Sequence, residues 1–328
     1  MHKTDPRRIV ITGASSGIGA ATAEAFAAQG AQLVLASRNR AALEQVAIRC
    51  RAAGATVHII PTDVTDAEAV AQLATSAQAL MGGIDLWLSN VGIGVIGRLQ
   101  DVPAAAHRQV IEANLIGHLN DAHAVLPIFI EQGHGIFVNM ISAGAFVGTS
   151  WAPAYSASKF GLRGLSQALR AEVASYPDIH ICDVYPTFVD TPAIRHAGNY
   201  SGGRTTVPPG VLDPRKVARA ILRLADHPRN TTAVGMPAAL MQLAQFAAPH
   251  LSARVTSGMM TRHFQKADPA PLTNGNLFTP PADDGEIDGG FREPEKRAGV
   301  GRGLGVAGIA AAMLGGYLVL RRRRQPDV

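Results

Sequence analysis

Short apolar runs rich in β-branched residues alternate with longer stretches of helical character along the first 234 positions of the chain. The strand-like runs lie at 9–11, 33–36, 56–61, 84–89, 136–141 and 179–185, with a weaker one at 231–234. Strands that alternate with helices indicate βαβ units and a parallel sheet, and right-handed crossovers then give a doubly wound sheet. We therefore predict an α/β fold, a Rossmann-type three-layer sandwich, whose ligands bind outside the carboxyl ends of the strands.

Three glycines follow the first strand at the opening of the first helix, in the order Gly13, Gly17 and Gly19. Glycine lets the backbone turn tightly and approach a pyrophosphate, and a helix N-terminus offers N–H groups and the positive end of a dipole. The spacing differs from the common G-x-G-x-x-G pattern, so an ordinary strand–helix turn is the alternative. In its place between a strand and a helix, the turn predicts a dinucleotide site.

The end of the second strand bears on the choice of cofactor. An acidic residue there would bind the ribose 2′-hydroxyl of NAD, whereas positions 36–39 read Ala-Ser-Arg-Asn and contain no acid. The guanidinium of Arg38 matches the geometry of a phosphate. The sequence therefore favours NADP(H) over NAD, and the alternative is that Arg38 is a solvated surface residue.

Tyr155 and Lys159 are four residues apart in a helical stretch, which puts them on one face within reach of each other. A neighbouring ammonium is expected to lower the pKa of the tyrosine and make it usable as an acid or base. Such a pair alone is more often structural than catalytic. Here Ser142 ends the fifth strand, and Asn90 and Asp63 follow two earlier strands, where the fold places a ligand.

With these motifs the chain resembles the short-chain dehydrogenase/reductase family over about residues 8–234. The resemblance implies hydride transfer between a nicotinamide cofactor and a carbonyl or secondary alcohol, and a catalytic tetrad of Asn114, Ser142, Tyr155 and Lys159. Together with Arg38, the residues predicted to bind the cofactor are Thr12, Gly13, Ser15, Ser16, Gly17, Ile18, Gly19, Asp63, Val64, Asn90, Gly92, Tyr155, Lys159, Pro186, Val189 and Thr191.

The resemblance also implies a role for each member of the tetrad. Tyr155 would protonate the developing alkoxide, and Ser142 would hydrogen-bond the same oxygen. Lys159 would hold the ribose hydroxyls, and Asn114 would organise a water that links Lys159 to solvent. The chain departs from the family pattern in reading Ser-Asn-Val-Gly at 89–92 instead of Asn-Asn-Ala-Gly, and Pro-Thr instead of Pro-Gly at 186–187. Neither change removes a group that the chemistry needs.

Substrate selectivity is expected in residues 187–212, which lack periodicity and look like a mobile lid. Trp151, Phe188, Ile194 and Tyr200 are candidate apolar liners, with ordinary packing as the alternative. A helical stretch at 238–264 is a further candidate for an apolar wall of the substrate pocket. The alternative is that its methionines fill the core, which is the more common role of methionine at helical spacing. Its methionines, with the one just before it, are Met236, Met241, Met259 and Met260.

Beyond position 264 the composition changes. We predict a catalytic domain over 1–264, a flexible linker rich in Pro and Gly over 265–302, and a membrane-associating helix with a basic end over 303–328. Residues 303–320 carry no charge and would span about 27 Å as a helix. Gly308, Ala312 and Gly316 form a small-residue face that suits helix pairing in a bilayer. An amphipathic or partly disordered tail is the alternative.

Charge and cysteine content exclude other classes of protein. The net charge is +5, and Arg321 to Arg324 supply +4 of it. The sequence contains no basic patch interleaved with aromatic residues, so it does not predict nucleic-acid binding. The two cysteines, Cys50 and Cys182, form no CxxC pair, which excludes a cysteine-based zinc site and fits a reducing compartment. The scattered histidines contain no HExxH motif, and we predict no metal.

The sequence thus predicts an NADP(H)-dependent enzyme acting on a small carbonyl or alcohol. The alternative is a catalytically silent NADP(H)-binding sensor or scaffold at a membrane. Only the tail suggests an apolar, lipid-like or steroid-like substrate. Family resemblance favours a homodimer or homotetramer. The catalytic domain is expected in the cytoplasm, attached to the inner face of a membrane by its C-terminus.

Overall fold

A computed structural model describes residues 6–207, 210–235, 249–282 and 285–292. The strands are β1 (Arg8–Thr12), β2 (Gln32–Ser37), β3 (Thr56–Pro61), β4 (Leu86–Ser89), β5 (Val95–Ile96), β6 (Gly135–Met140), β7 (Ile179–Pro186), β8 (Gly198–Asn199) and β9 (Thr231–Val234). Seven of them form one parallel sheet in the order β3-β2-β1-β4-β6-β7-β9, and β5 and β8 form a separate parallel pair. This confirms the doubly wound α/β fold.

Helices cover both faces of the large sheet. They are α1 (Gly17–Ala27), α2 (Arg40–Ala52), α3 (Ala67–Met81), α4 (Ala104–Ile111), α5 (Gly117–Gln132), α6 (Pro153–Glu172), α7 (Ala193–His196), α8 (Pro214–Asp226) and α9 (Pro249–Lys266). A π-helical turn at Glu112–Ile116 precedes α5, and a 3₁₀ turn at Ala143–Ala145 follows β6. Asp66 caps α3, because its side chain accepts hydrogen bonds from the N–H groups of Glu68 and Ala69.

The core lies on both sides of the sheet, because the strands are apolar at odd and even positions alike. Ile9 and Ile11 of β1 face one side and pack with α1, α2 and α8, whereas Val10 faces the other and packs with α3, α5 and α6. Such two-sided burial is the reason that strands of a parallel sheet read as continuous apolar runs. A site at the carboxyl edge of the sheet then lies between the two layers of helices.

The strand order reverses between β1 and β4, since β2 and β3 lie on one side of β1 and β4, β6, β7 and β9 lie on the other. In a doubly wound sheet the crevice for a ligand lies at this point, outside the carboxyl ends of the strands. The glycine-rich turn follows β1 and Asn90 follows β4, so both border the crevice.

The segment after α9 corrects the predicted linker. Between 267 and 292 the described residues pack against the catalytic domain, with Leu277 fully buried and Ile287 nearly so. Arg49 and Asn39 donate hydrogen bonds to the carbonyl oxygens of Gly285 and Pro281. The composition was misleading because backbone hydrogen bonds, ion pairs and two isolated apolar anchors hold this segment, and none of these produces an apolar period.

Several predictions fall outside the described residues. They are the membrane-associating helix at 303–328, the linker residues 293–302, and Met236 and Met241 of the Met-rich stretch. The described part of that stretch is helical in α9. Among the described residues, no helix combines the length and the apolar character needed to cross a bilayer.

Candidate active site

The glycine-rich turn brings the start of α1 close to the end of β1. Gly13 and Gly17 have φ values of 65° and 56°, a conformation that glycine adopts without the strain of a side chain. A Cβ on Gly19 would lie 2.1 Å from the carbonyl oxygen of Gly13, so the helix could not approach the strand with any larger residue there. Ser15, Ser16 and Ile18 of the same turn are half-buried.

The loop after β4 is tied to this turn. The side-chain amide of Asn90 donates a hydrogen bond to the carbonyl oxygen of Gly13 at 3.0 Å, and its backbone N–H donates to Thr12 Oγ1 at 3.3 Å. Gly92 lies opposite Lys159, because a Cβ on it would be 3.9 Å from Lys159 Nζ. The structure therefore brings the two predicted cofactor segments together at the crevice.

Ser142 and Tyr155 flank one point beyond β6. A Cβ on Gly144 would lie 3.4 Å from Ser142 Oγ and 3.5 Å from the ring of Tyr155, so the two side chains face the same space. Ser142 Oγ accepts a hydrogen bond from the N–H of Gly144 at 3.0 Å, which orients the hydroxyl at the start of the 3₁₀ turn. Pro153 opens α6 and places Tyr155 in its first turn.

Lys159 lies one turn further along α6 and is buried. Its Nζ donates a hydrogen bond to the carbonyl oxygen of Met140 at 3.1 Å and lies 5.8 Å from the centre of the Tyr155 ring. Burial lowers the pKa of Lys159 to about 7, because the charged ammonium loses its hydration.

The predicted lowering of the pKa of Tyr155 by Lys159 is not what the structure shows. Burial raises the pKa of the Tyr155 phenol, and an interaction with Ser142 only partly opposes this. The physical reason is that Lys159 points to the carbonyl of Met140, while the phenol loses hydration in the fold.

Asn114 is fully buried in the π-helical turn before α5. Its amide forms a two-way pair with the backbone of Ile93, accepting from the N–H at 2.8 Å and donating to the carbonyl at 2.9 Å. It also donates to Ser158 Oγ at 3.2 Å, and Ser158 in turn donates to the carbonyl of Tyr155 at 2.8 Å. Asn114 therefore links the loop after Gly92 to the start of α6, within the group of side chains predicted to be catalytic.

On the other side of the crevice, Arg38 follows β2 and is half-buried. Its guanidinium donates a hydrogen bond to the carbonyl oxygen of Asn276 at 2.9 Å. Asp63 holds the turn after β3, since its Oδ1 accepts from the N–H and hydroxyl of Thr65. Val64 is buried, and its carbonyl accepts a hydrogen bond from Asn120.

The predicted lid runs from the end of β7 across the glycine-rich turn. Pro186 ends β7, and a Cβ on Gly17 would lie 3.0 Å from Cβ of Thr191. Val189 is buried in the core and pairs with Leu212 in an isolated bridge. Thus Thr191 reaches the turn, while Val189 packs inward.

The proposed apolar liners occupy different surroundings. Trp151 stacks on Phe264 of α9 with ring centres 4.8 Å apart, and Tyr200 donates a hydrogen bond from its hydroxyl to Asn274. Ile194 is half-buried, whereas Phe188 is 58% exposed. Of these four candidate liners, only Phe188 has a large apolar side chain that is mostly exposed.

Two buried polar residues of α5 were not predicted from the sequence. Asp121 accepts hydrogen bonds from the hydroxyls of Thr12 at 2.8 Å and Ser89 at 2.6 Å, and burial raises its pKa to about 7. His118 contacts the carbonyl of Val91 at 2.8 Å and Asn139 at 2.6 Å. Burial, reinforced by the charge of Lys159, lowers the pKa of His118 to about 4. Their three-residue spacing on one helix face was the available signal.

The residues at the crevice fit a nicotinamide dinucleotide. The close packing of Gly19 against Gly13 leaves the first turn of α1 at the edge of the sheet, where its N–H groups can hold a diphosphate. Arg38 stands at the end of β2, where the adenosine ribose binds in this type of fold. Lys159, next to Gly92, stands on the opposite side.

Comparisons with known proteins identify a family. The family model described as short chain dehydrogenase matches residues 7–199. An uncharacterized oxidoreductase of Staphylococcus aureus (strain N315) is 34% identical over 221 residues, which cover 67% of this chain and 91% of the relative. An uncharacterized oxidoreductase of Bacillus subtilis (strain 168) is 29% identical over 271 residues, 82% of this chain and 76% of the relative.

Two solved structures share the fold. An alcohol dehydrogenase from Thermococcus sibiricus, complexed with 5-hydroxy-NADP, is similar with a TM-score of 0.63 and 27% identity, covering 71% of this chain and 99% of its own. A short chain dehydrogenase/reductase from Burkholderia phymatum in complex with NAD has a TM-score of 0.65 and 24% identity, covering 83% of this chain and 100% of its own.

Proposed function

Because the chain belongs to the short-chain dehydrogenase family of oxidoreductases, we propose that it transfers hydride between NADP(H) and a small carbonyl compound or secondary alcohol. One observation carries this proposal: Ser142 and Tyr155 face the same point at the carboxyl edge of the sheet, with Lys159 buried beside them. A carbonyl oxygen at that point would meet a hydroxyl and a phenol at once.

Tyr155 is the proton donor in the reducing direction. Because burial raises the pKa of its phenol, the group stays protonated at neutral pH and has a proton to give. The substrate oxygen becomes negative as its carbon is reduced, so it takes that proton and leaves as an alcohol. The bound cofactor supplies the hydride.

Ser142 stabilises the same oxygen. Its Oγ already accepts a hydrogen bond from the N–H of Gly144, so the hydroxyl hydrogen is available to donate toward the substrate. A donor held in place before the reaction stabilises a developing negative charge without reorganisation.

Lys159 and Asn114 support the two reacting groups. Lys159 would hold the ribose of the cofactor beside Gly92, and its lowered pKa lets it exchange a proton near neutral pH. Asn114 hydrogen-bonds the Ile93 backbone and Ser158, and so holds the loop after β4 against α6. It would also organise a water between Lys159 and solvent.

The preference for NADP(H) rests on the end of β2. Arg38 is placed there without an acidic neighbour in positions 36–39, so a 2′-phosphate would meet a guanidinium and no carboxylate. The alcohol dehydrogenase from Thermococcus sibiricus was solved with an NADP derivative and the Burkholderia phymatum protein with NAD, so the preference rests on Arg38.

Activity profiling of the full-length protein tests this function. NADPH and NADH oxidation is measured with a panel of aldehydes and ketones, and NADP⁺ and NAD⁺ reduction with a panel of secondary alcohols. We expect NADPH-dependent reduction of at least one carbonyl compound of the panel, or NADP⁺-dependent oxidation of at least one alcohol. Binding of NADPH without turnover anywhere on the panel would contradict the proposal and support a silent sensor.

A further inference from the structure

Residues 273–282 and 285–292 lie across the mouth of the crevice, and we call these two stretches together the strap. The family model ends at residue 199, so the strap is not among the matched residues. One end of the strap is bound to the lid: Thr273 and Asn199 exchange both backbone hydrogen bonds, and the N–H of Asn276 donates to the carbonyl of His196.

The other end of the strap returns to the lid. The N–H groups of Phe291 and Arg292 donate to the carboxylate of Asp190 at 2.8 and 3.1 Å, and the Arg292 guanidinium binds the same carboxylate. A Cβ on Gly289 would lie 2.4 Å from the carbonyl oxygen of Thr191, so the backbones of the strap and the lid are in direct contact.

Between these ends the strap is attached on the far side of the crevice. Arg38 donates to the carbonyl oxygen of Asn276 at 2.9 Å, Asn39 to that of Pro281 at 2.8 Å, and Arg49 to that of Gly285 at 2.6 Å. These side chains follow β2 or belong to α2, whereas the lid follows β7 on the other side of β1 and β4. The strap therefore spans the crevice.

The strap also touches the groups that would hold the cofactor's phosphates. The carbonyl of Glu286 accepts a hydrogen bond from the N–H of Gly17, the first residue of α1, at 2.9 Å. Arg38 has five N–H donors and uses one of them on Asn276, so it keeps donors for a phosphate. The strap and a bound phosphate can therefore both be held by Arg38, whereas the single N–H of Gly17 is taken by the strap and a diphosphate would use other N–H groups of the first turn of α1.

We propose that the strap is an additional part of the cofactor site: it closes the crevice over the bound cofactor, and the cofactor enters and leaves only after the strap has opened. This inference rests on the proposed function in one respect, that a dinucleotide occupies the crevice. Two apolar anchors and part-exposed ion pairs hold the strap, and contacts of this kind open locally without unfolding the domain.

A reversible lock tests the proposal in the full-length protein. A Cβ built on Gly285 lies 3.3 Å from Cβ of Gln45, close to the separation of about 3.8 Å that a disulfide needs. The double variant Gln45→Cys and Gly285→Cys joins the strap to α2 when oxidised and releases this link when reduced. Because Gly285 has a φ of 77°, cysteine there strains the strap in both states alike, so the oxidised and reduced forms of the same variant are compared with each other. Wild-type protein treated identically controls for the buried Cys50 and Cys182.

NADPH fluorescence in stopped flow measures exchange. When the variant is oxidised before mixing, we expect association slower by about tenfold or more than in the reduced protein, and when it is oxidised after loading, release slower by a similar factor. Equal rates in both states would overturn the proposal. Slower association with unchanged release would also overturn it, because the strap would then only compete with the cofactor. If the wild-type protein does not bind NADPH, the cofactor assignment itself fails.

A second variant opens the strap instead of locking it. Asp288→Ala removes one of the carboxylate partners of Arg215 and of Arg292, and we expect both association and release to accelerate. Glu44→Ala is the matched control: it removes the Arg51–Glu44 pair, whose side chains are 43% and 44% exposed, against 44% and 41% for Arg215 and Asp288. Exchange rates of Asp288→Ala equal to those of the control would count against a gating strap.

Discussion

The guanidinium of Arg38 donates a hydrogen bond to the carbonyl oxygen of Asn276, at 2.9 Å and across 238 positions of the chain. This bond joins the end of β2, where the adenosine side of a dinucleotide binds, to the strap that is attached to the lid. One arginine thus has two tasks at the crevice: a phosphate ligand in the proposed function and an anchor for the strap.

The first prediction concerns cofactor preference. In the proposed function Arg38 would face the 2′-phosphate, so in Arg38→Ala the ratio of kcat/KM for NADPH over NADH should fall by about tenfold or more, since a hydrogen bond to a charged group contributes about 1.5–3 kcal/mol. Steady-state kinetics with both cofactors measure it. Arg40→Ala, at the exposed start of α2, is the control and should leave the ratio unchanged. An unchanged ratio in Arg38→Ala would contradict the assignment.

The second prediction concerns the glycine-rich turn. Gly19→Ala places a Cβ 2.1 Å from the carbonyl oxygen of Gly13, so the start of α1 must move away from β1 and NADPH binding should be lost. Gly164→Ala in α6 is the matched control, because no atom outside its chain neighbours and the adjacent backbone of α6 lies within 4 Å of its new Cβ. That control should bind NADPH normally and gain about 0.5–1 kcal/mol in the free energy of unfolding. Fluorescence titration and thermal unfolding measure both, and normal binding in Gly19→Ala would refute the prediction.

The third prediction concerns the pH dependence of stability. Burial raises the pKa of Asp121 to about 7 from an ordinary value of 3.8. The cost of burying its charged form is fully present above pH 7 and disappears as the pH falls toward 3.8, because the folded state then holds a proton that the unfolded state lacks. Asp121→Asn has no such charge, and its carbonyl oxygen can still accept from Thr12 and Ser89.

The difference in stability, variant minus wild type, should therefore become more favourable to Asp121→Asn as the pH rises from 4 to 7 and should then level off. Thermal unfolding at a series of pH values measures this difference. The exposed Asp101→Asn serves as control and should show no such rise. A difference for Asp121→Asn that does not vary with pH would contradict the burial of a charged carboxylate in the wild type.

The order of the elements could be predicted from the sequence because two-sided burial makes each strand a short apolar run. The glycine-rich turn, Ser142, Tyr155 and Lys159 could be predicted for a related reason. Ligands bind at the carboxyl edge of the sheet, so residues that follow the predicted strands are expected to meet there. The role of Asn114 was predicted only from the family resemblance. Its hydrogen bonds to Ile93 depend on the π-helical turn, which the sequence pattern does not reveal.

The strap and the buried partners of α5 could not be predicted in this way. Backbone carbonyls carry most of the contacts that the strap makes across the crevice, and residue type does not reveal which carbonyl meets Arg38 or Gly17. Asp121 and His118 are polar residues on a buried face, and only the positions of Thr12 and Val91 in space show what they bind.

The measurement that tests the central claim most directly compares turnover and cofactor binding in Tyr155→Phe. This variant keeps the ring and removes the proton donor, so turnover should fall by about 10²- to 10⁴-fold while NADPH binding stays close to that of the wild type. Tyr176→Phe, at an exposed position, is the control and should retain full turnover. Full turnover in Tyr155→Phe would contradict the proposal that this phenol delivers the proton.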